Sequence, residues 1–162
     1  MKKITALVLA LTMVCSLFAM AGYAEEKKEI ETVTPGVLTV ATSPDFAPYE
    51  FYALDEDGNP TLAGFDMALA QYIADYLGLE LEVIPMDFDG TLMELASKNV
   101  DLAMAGYSPD PARMDKMDFS DLYYLGGQSF VTVKGSEDKF KTLEDTNNPD
   151  YQIGAQIGSI QV

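Results

Sequence analysis

The chain has no histidine, no tryptophan and a single cysteine, and it sets 10 basic residues against 26 acidic ones. Without histidine it lacks the commonest metal ligand and the side chain best suited to act as a general base near neutral pH. The one cysteine, Cys15, lies in an apolar segment near the start, so no internal disulfide can form. No metal and no cofactor is expected. A formal net charge of −16 at pH 7 opposes binding to nucleic acid and to anionic membranes and favours solubility.

What is present begins with an address. Lys2 and Lys3 precede a mostly apolar run from Ile4 to Met20, followed by small-residue sites at Ala19-Met20-Ala21 and Gly22-Tyr23-Ala24. This reads as an export signal over residues 1–24, cleaved after Ala24, where the charge run Glu25 to Glu29 begins. A membrane anchor competes with that reading, but the run is at the short limit for spanning. Val14 stands where a lipoprotein would place a small residue before its cysteine. The expected location is outside the cytoplasm, in the periplasm or on the extracellular face of the cytoplasmic membrane.

Residues 25–34 form a charged spacer, and Pro35-Gly36 a turn. Val37 to Thr42 reads as a buried strand. Ser43 to Tyr49 is a loop with two prolines and two aromatics. Glu50 to Leu54 and Thr61 to Ala63 flank the polar tip Asp55 to Pro60, a hairpin. After Gly64, the stripe Phe65, Leu69, Tyr72, Ile73, Tyr76 and Leu77 marks a helix facing a core, with Gly78 as its stop. Leu79 to Pro85 is a second strand. A second helix runs to about Lys98 with Leu92, Leu95 and Ala96 inward, and Val100 to Ala105 is a third strand. The pattern is α/β: right-handed crossovers give a parallel sheet of order 2-1-3 with helices on both faces. The Tyr107, Tyr123 and Tyr124 set is read as packing. Beyond Gly126-Gly127, a pair suited to bending, Gln128 to Val133 and Tyr151 to Ala155 read as strands of a second unit. Residues 35–125 are one lobe; residues 126–162 are a hinge and the beginning of an incomplete second α/β lobe.

Three loops leave the carboxyl ends of the three parallel strands and crowd one sheet edge, where α/β folds bind small ligands. They carry Phe46, Phe88 and Arg113. Arg113 is the only arginine in the chain, and a guanidinium fork suits a carboxylate in a way that lysine does not. It follows Asp110, a good helix cap, and Pro111, pre-set for the first helical position. Each residue also has a plainer use. Arg113 could pair locally with Asp110, Phe88 could be core for its own helix, Phe46 could be a buried loop anchor, and Ser108 could cap a turn.

Four stretches in this order carry a resemblance: V-L-T-V-A-T-S-P-D-F-A-P-Y-E-F, L-A-G-F-D-M-A-L-A-Q-Y-I-A, N-V-D-L-A-M-A-G-Y-S-P-D-P-A-R-M-D-K-M-D-F-S and I-G-A-Q-I-G-S-I-Q. Over about residues 36–161 the chain resembles the polar amino-acid-binding proteins of bacterial ABC importers, with their periplasmic-binding-protein-like lobe. The resemblance implies that Arg113 forks the α-carboxylate of an amino-acid ligand, with the Ser108 hydroxyl beside it and the Gly106 carbonyl accepting the α-ammonium. Phe46 and Phe88 would sandwich the ligand. Ser43 falls where some relatives place an acid that reads the ligand's side chain. Ser159 and Ile160 match a second-lobe loop that closes on the carboxylate. This chain departs from the pattern in three places: Ser43 is not acidic, Pro109 and Asp110 replace a more usual Ile and Thr, and Ile160 lacks a Thr hydroxyl. The resemblance also implies a second lobe that continues past Val162 and holds the acid for the α-ammonium.

The implied protein is a monomer that closes two lobes around a zwitterion and hands it to a membrane permease, breaking no bond. A dehydratase on the same fold and the sensor domain of a membrane receptor are the rival readings.

Overall fold

The first strand, β1 (Val37–Thr42), is buried along almost its whole length, as a strand covered on both faces must be. The computed structural model describes residues 30–162. The export signal of residues 1–24, its cleavage site, Cys15 and the first half of the 25–34 spacer lie outside the described residues. Thr32–Val162 forms one compact unit.

Along β1 the chain order is β2 (Asp45–Phe46), β3 (Glu50–Leu54), β4 (Pro60–Ala63), α1 (Phe65–Leu77), β5 (Glu80–Pro85), α2 (Phe88–Ala96) and β6 (Leu102–Ala103). β1 pairs in parallel with β5 on one side and β6 on the other. The sheet order β5-β1-β6 is the expected 2-1-3. Crossovers of one hand that run in opposite directions place α1 and α2 on opposite faces. Leu38 and Val40 of β1 pack with Ala70 and Ala74 of α1 and with Met104 in the central cluster.

β6 is shorter than the six-residue strand expected. At its start the Asp101 carboxylate accepts hydrogen bonds from the Thr39 N–H (2.8 Å) and the Val33 N–H (2.7 Å), so a side chain replaces part of the ladder. At its end Gly106 turns the chain at φ 59°. Among the described residues β6 has no strand on its outer edge. An apolar cavity of about 550 Å³ touches it, lined by Leu69 and Ile73 of α1 and Leu92 and Leu95 of α2.

The face of α1 matches the apolar stripe read in the sequence only in part: Leu69 and Ile73 pack against the central cluster, but the aromatic members do not face it. Asp66, Met67, Ala70 and Ala74 are buried, whereas Phe65, Tyr72 and Tyr76 are exposed. The helix turns its alanines to the sheet because small side chains permit close approach, and its tyrosines keep their hydroxyls in water. Gly64 before it is required twice over. Its φ is 128°, and a Cβ there would lie 2.1 Å from the Tyr49 carbonyl oxygen. Gly78 closes α1 in the left-handed conformation, as expected. In α2, Leu92 and Leu95 are half-buried, Thr91 is the buried residue and Ala96 is exposed.

Ser43 to Tyr49 is not only a loop. Asp45 and Phe46 form β2, which pairs with β3 so that Phe46 lies opposite Glu50. β2-β3-β4 is a small antiparallel sheet.

After Gly106 the described residues contain neither strand nor α-helix, only single 3-10 turns at Pro111–Arg113, Glu137–Lys139 and Glu144–Thr146. The strands expected at Gln128 to Val133 and Tyr151 to Ala155 carry no ladder. A strand is made by its neighbour's N–H and C=O groups, and these runs have no neighbour.

Candidate functional site

A cavity of about 240 Å³ opens at the carboxyl end of the parallel sheet. Its wall includes Phe46, Phe88, Gly106, Ser108, Arg113, Ser159 and Ile160. Of the residues singled out in the sequence, Ser43 alone does not reach it. Ser43 is buried at the end of β1, and its hydroxyl donates to the Asp45 carboxylate at 3.1 Å. Asp45 takes the place on the wall, because β2 starts there and turns the chain outward.

Each wall residue is held for a local reason. Phe46 stacks on Tyr49, ring centroids 5.2 Å apart, and stays half exposed. Gly106 allows that position: a Cβ there would come within 2.9 Å of the Phe46 ring. Phe88 opens α2 and packs on Tyr107 at 4.8 Å. The Tyr107 hydroxyl meets Thr91, and burial pushes its pKa up to about 12.

Arg113 sits on the single turn that Asp110 caps, the Asp110 carboxylate accepting from the Ala112 N–H at 2.9 Å. Its Nε is 3.5 Å from Asp110 Oδ2, so the local pair does form. Nη2 donates to the Gly158 carbonyl at 2.6 Å. Two of five guanidinium donors are thus engaged, which leaves capacity for an anion.

The turn from Gln156 to Gln161 borders the cavity from far along the chain. Gln156 donates to Asp45 at 3.2 Å and Gln161 to Gln128 at 2.7 Å. Gly158, at φ 80°, lies against Asp89 at the start of α2, where a Cβ would be 2.8 Å from the Asp89 Cβ.

Sequence reasoning passed over two acids. Glu50, the first residue of β3, lines the cavity, is completely buried, and has no hydrogen-bond donor to either carboxyl oxygen. Burial first, then the charge and carboxyl of Asp66, then Asp45, push its pKa up to about 9. Asp66, also buried, accepts from the Gly106 N–H at 3.0 Å and from the Tyr123 hydroxyl at 3.1 Å. Burial and the neighbouring Asp66 in turn raise the pKa of Tyr123. Tyr123 thus both packs against Phe65 and anchors Asp66. The available signal for Glu50 was the pairing of Phe46 with it, and that required recognising a two-residue strand in a loop with two prolines. Among the described residues no cluster of His, Cys, Asp and Glu has the geometry to hold a metal ion.

Comparison with known proteins adds the following. The family model described as bacterial extracellular solute-binding proteins, family 3, matches residues 38–151. The arginine-binding extracellular protein ArtP of Bacillus subtilis is 34% identical over 153 residues, covering 94% of this chain and 56% of that protein. The cyclohexadienyl dehydratase of Pseudomonas aeruginosa is 33% identical over 148 residues, 91% of this chain and 54% of that protein. Among solved structures, an amino acid ABC transporter substrate-binding protein from Streptococcus pneumoniae bound to L-arginine matches with a TM-score of 0.64. It is 44% identical, over 68% of this chain and 46% of that one. The chain spans about half the length of the curated relatives it matches.

Proposed function

Because the chain belongs to the bacterial extracellular solute-binding proteins of family 3, we propose that it binds an α-amino acid outside the cytoplasm and delivers it to the permease of an ABC importer. The carrying observation is that one guanidinium and two phenyl rings, from Arg113, Phe46 and Phe88, share the wall of a single cavity. In this reading Arg113 takes the α-carboxylate with the Ser108 hydroxyl beside it, the Gly106 carbonyl accepts from the α-ammonium, and the rings cover the ligand's faces. The turn carrying Ser159 and Ile160 closes on the carboxylate, which competes with the Gly158 carbonyl for Arg113. Bending at Gly126-Gly127 would let that turn open and shut, and the protein acts as a monomer without a cofactor.

Magnitudes fit this division of labour. A charge-assisted hydrogen-bond pair contributes about 1.5–3 kcal/mol net, whereas micromolar binding needs about 8 kcal/mol. Burial between the rings and under the turn must supply the remainder. Calorimetric titration with the twenty amino acids tests the reading. At least one should bind, and Arg113→Lys should weaken binding about 30-fold or more, because the ammonium cannot make the bidentate contact. Undiminished affinity in that variant would remove Arg113 from the site.

One observation favours a second reading. The carboxyl of Glu50, protonated at neutral pH inside the same cavity, has the state required of a general acid that protonates a departing hydroxyl. A relative is named as a dehydratase. Incubation with prephenate separates the two: appearance of an aromatic keto acid supports the enzyme, and an unchanged substrate supports the carrier.

A further inference from the structure

A second cavity, of about 220 Å³, lies beside the first, and Phe46, Gly106, Ser108 and Gln128 border both. The crossing chain from Tyr123 to Gly127 forms part of its wall. Phe46 therefore belongs to the partition between the amino-acid cavity and the crossing.

The ring of Phe46 is held by other rings. β2 is only two residues long and supplies little ladder. The ring lies instead on Tyr49, with centroids 5.2 Å apart and planes inclined by 21°. Tyr49 is fixed by its backbone: its N–H donates to the Phe46 carbonyl and its carbonyl accepts from the Asp66 N–H, each at 2.9 Å. Tyr124 meets the Tyr49 ring edge-on at 5.3 Å. Phe65 braces both from α1, 6.5 Å from Tyr49 and 6.4 Å from Tyr124.

The line of rings ends where the chain can bend. A Cβ on Gly126 would lie 3.3 Å from the Tyr124 ring and 3.9 Å from the Tyr49 hydroxyl oxygen. One on Gly127 would meet nothing within 4 Å, and Leu125 is exposed. The crossing is thus pinned up to Tyr124, by the rings and by the Tyr123 hydroxyl on Asp66, and is unpacked at Leu125 and Gly127.

Resting on the reading of the first cavity as an amino-acid site, we propose that Tyr49 and Tyr124 are positioning residues, a strut of two rings that holds Phe46 against the ligand and ties it to the bend at Gly126-Gly127. Stacked and edge-on rings favour definite offsets and angles, so a shift of Phe46 under a seated amino acid passes through Tyr49 and Tyr124 to the crossing. The coupling is reciprocal: a swing of the crossing resets the ring that the ligand meets. A ring pair of this kind changes an equilibrium by about two- to tenfold, which bounds the effect.

The chain has no tryptophan, so Tyr124→Trp puts a single indole in the strut while keeping an aromatic edge. Tyr76→Trp puts one on the exposed face of α1 as a control. Both are titrated with each amino acid except tryptophan and followed by indole emission. The amino acid that binds should shift the emission of Tyr124→Trp and leave that of Tyr76→Trp unchanged, and adding Phe46→Leu to Tyr124→Trp should abolish the shift at saturation. Calorimetry with the twenty amino acids supplies the second measurement. Tyr124→Leu should weaken binding about three- to tenfold, and Tyr124→Phe, which keeps the ring, less than about twofold. In the Phe46→Leu background Tyr124→Leu should cost less than about twofold, the mark of a residue that acts through Phe46.

Equal losses for Tyr124→Leu in both backgrounds would overturn the strut and leave the amino-acid reading standing. So would emission from Tyr124→Trp that ignores a saturating amino acid, or a like shift in Tyr76→Trp, which would mean a change spread through the whole lobe. Should Tyr124→Leu fail to fold or Phe46→Leu fail to bind, the two emission variants decide alone. Absence of binding by any amino acid to the unaltered protein would remove both readings.

Discussion

Two apolar runs in this chain look alike on paper and end up opposite in space. Val37 to Thr42 forms β1, buried from Leu38 to its end. Gln128 to Val133 is likewise rich in β-branched residues, yet Val131 is 93% exposed and Val133 75%. Composition does not separate them. β1 has a strand on each side and a helix against the Leu38 and Val40 face, whereas the later run meets no ladder. Strand propensity expresses how a residue fits a pleated, half-buried surface, and where there is no sheet there is nothing to fit. The difference teaches that residues 37–105 are held by packing, which Tyr123 and Tyr124 join through Phe65 and Tyr49, and that residues 125–162 are held to them mainly by scattered hydrogen bonds, among them those of the turn at the cavity.

The contrast can be strained hardest at its glycines. Gly64→Ala would drive a methyl into the Tyr49 carbonyl at a positive φ and should cost at least about 3 kcal/mol, read as loss of the cooperative melt. Gly127→Ala, with no atom within 4 Å of the new Cβ, should change stability by less than about 0.5 kcal/mol. A comparable loss at Gly127 would mean that the second region is packed after all. Next come the side chains. Ala74 is fully buried in the central cluster, so Ala74→Leu should cost about 2 kcal/mol by overpacking, while Val131→Ala should stay within about 0.5 kcal/mol in urea unfolding.

The third effect is smaller and depends on pH. Glu50 has a folded pKa of about 9 against an ordinary value near 4.5. Below pH 4.5 folded and unfolded chains both hold the proton. Between 4.5 and 9 the unfolded chain gives it up and the folded chain keeps it, so rising pH favours unfolding. The advantage of Glu50→Gln over the wild-type chain, both without ligand, should therefore widen by about 1–2 kcal/mol between pH 5 and pH 8. A flat difference across that range would place the Glu50 carboxyl in water.

Much of the first region could be read before any coordinates. The parallel order followed from one hydrophobic strand, two crossovers and the fixed hand of such connections. The Asp110 cap, the Gly78 stop and the gathering of Phe46, Phe88 and Arg113 followed from loops that leave the same sheet edge. What could not be read was rotation and partnership. The tyrosines of α1 suggested a core stripe because periodicity reports size and polarity, not which face a helix can bring closest to a sheet. Glu50 was invisible because a lone acid at a strand start is ordinary, and only the pairing of β2 with β3 turns it inward.

The amino-acid order alone decided which elements could form around β1 and which ends they would share, because periodicity, caps and glycine stops act over a few residues. Tertiary structure decided which acid lost its water, which apolar run became a strand and which distant carbonyl met Arg113. Those outcomes depend on groups brought together from separate parts of the chain, Phe46 with Glu50, Asp66 with Gly106, Arg113 with Gly158. Desolvation and hydrogen bonding act only once such groups are neighbours.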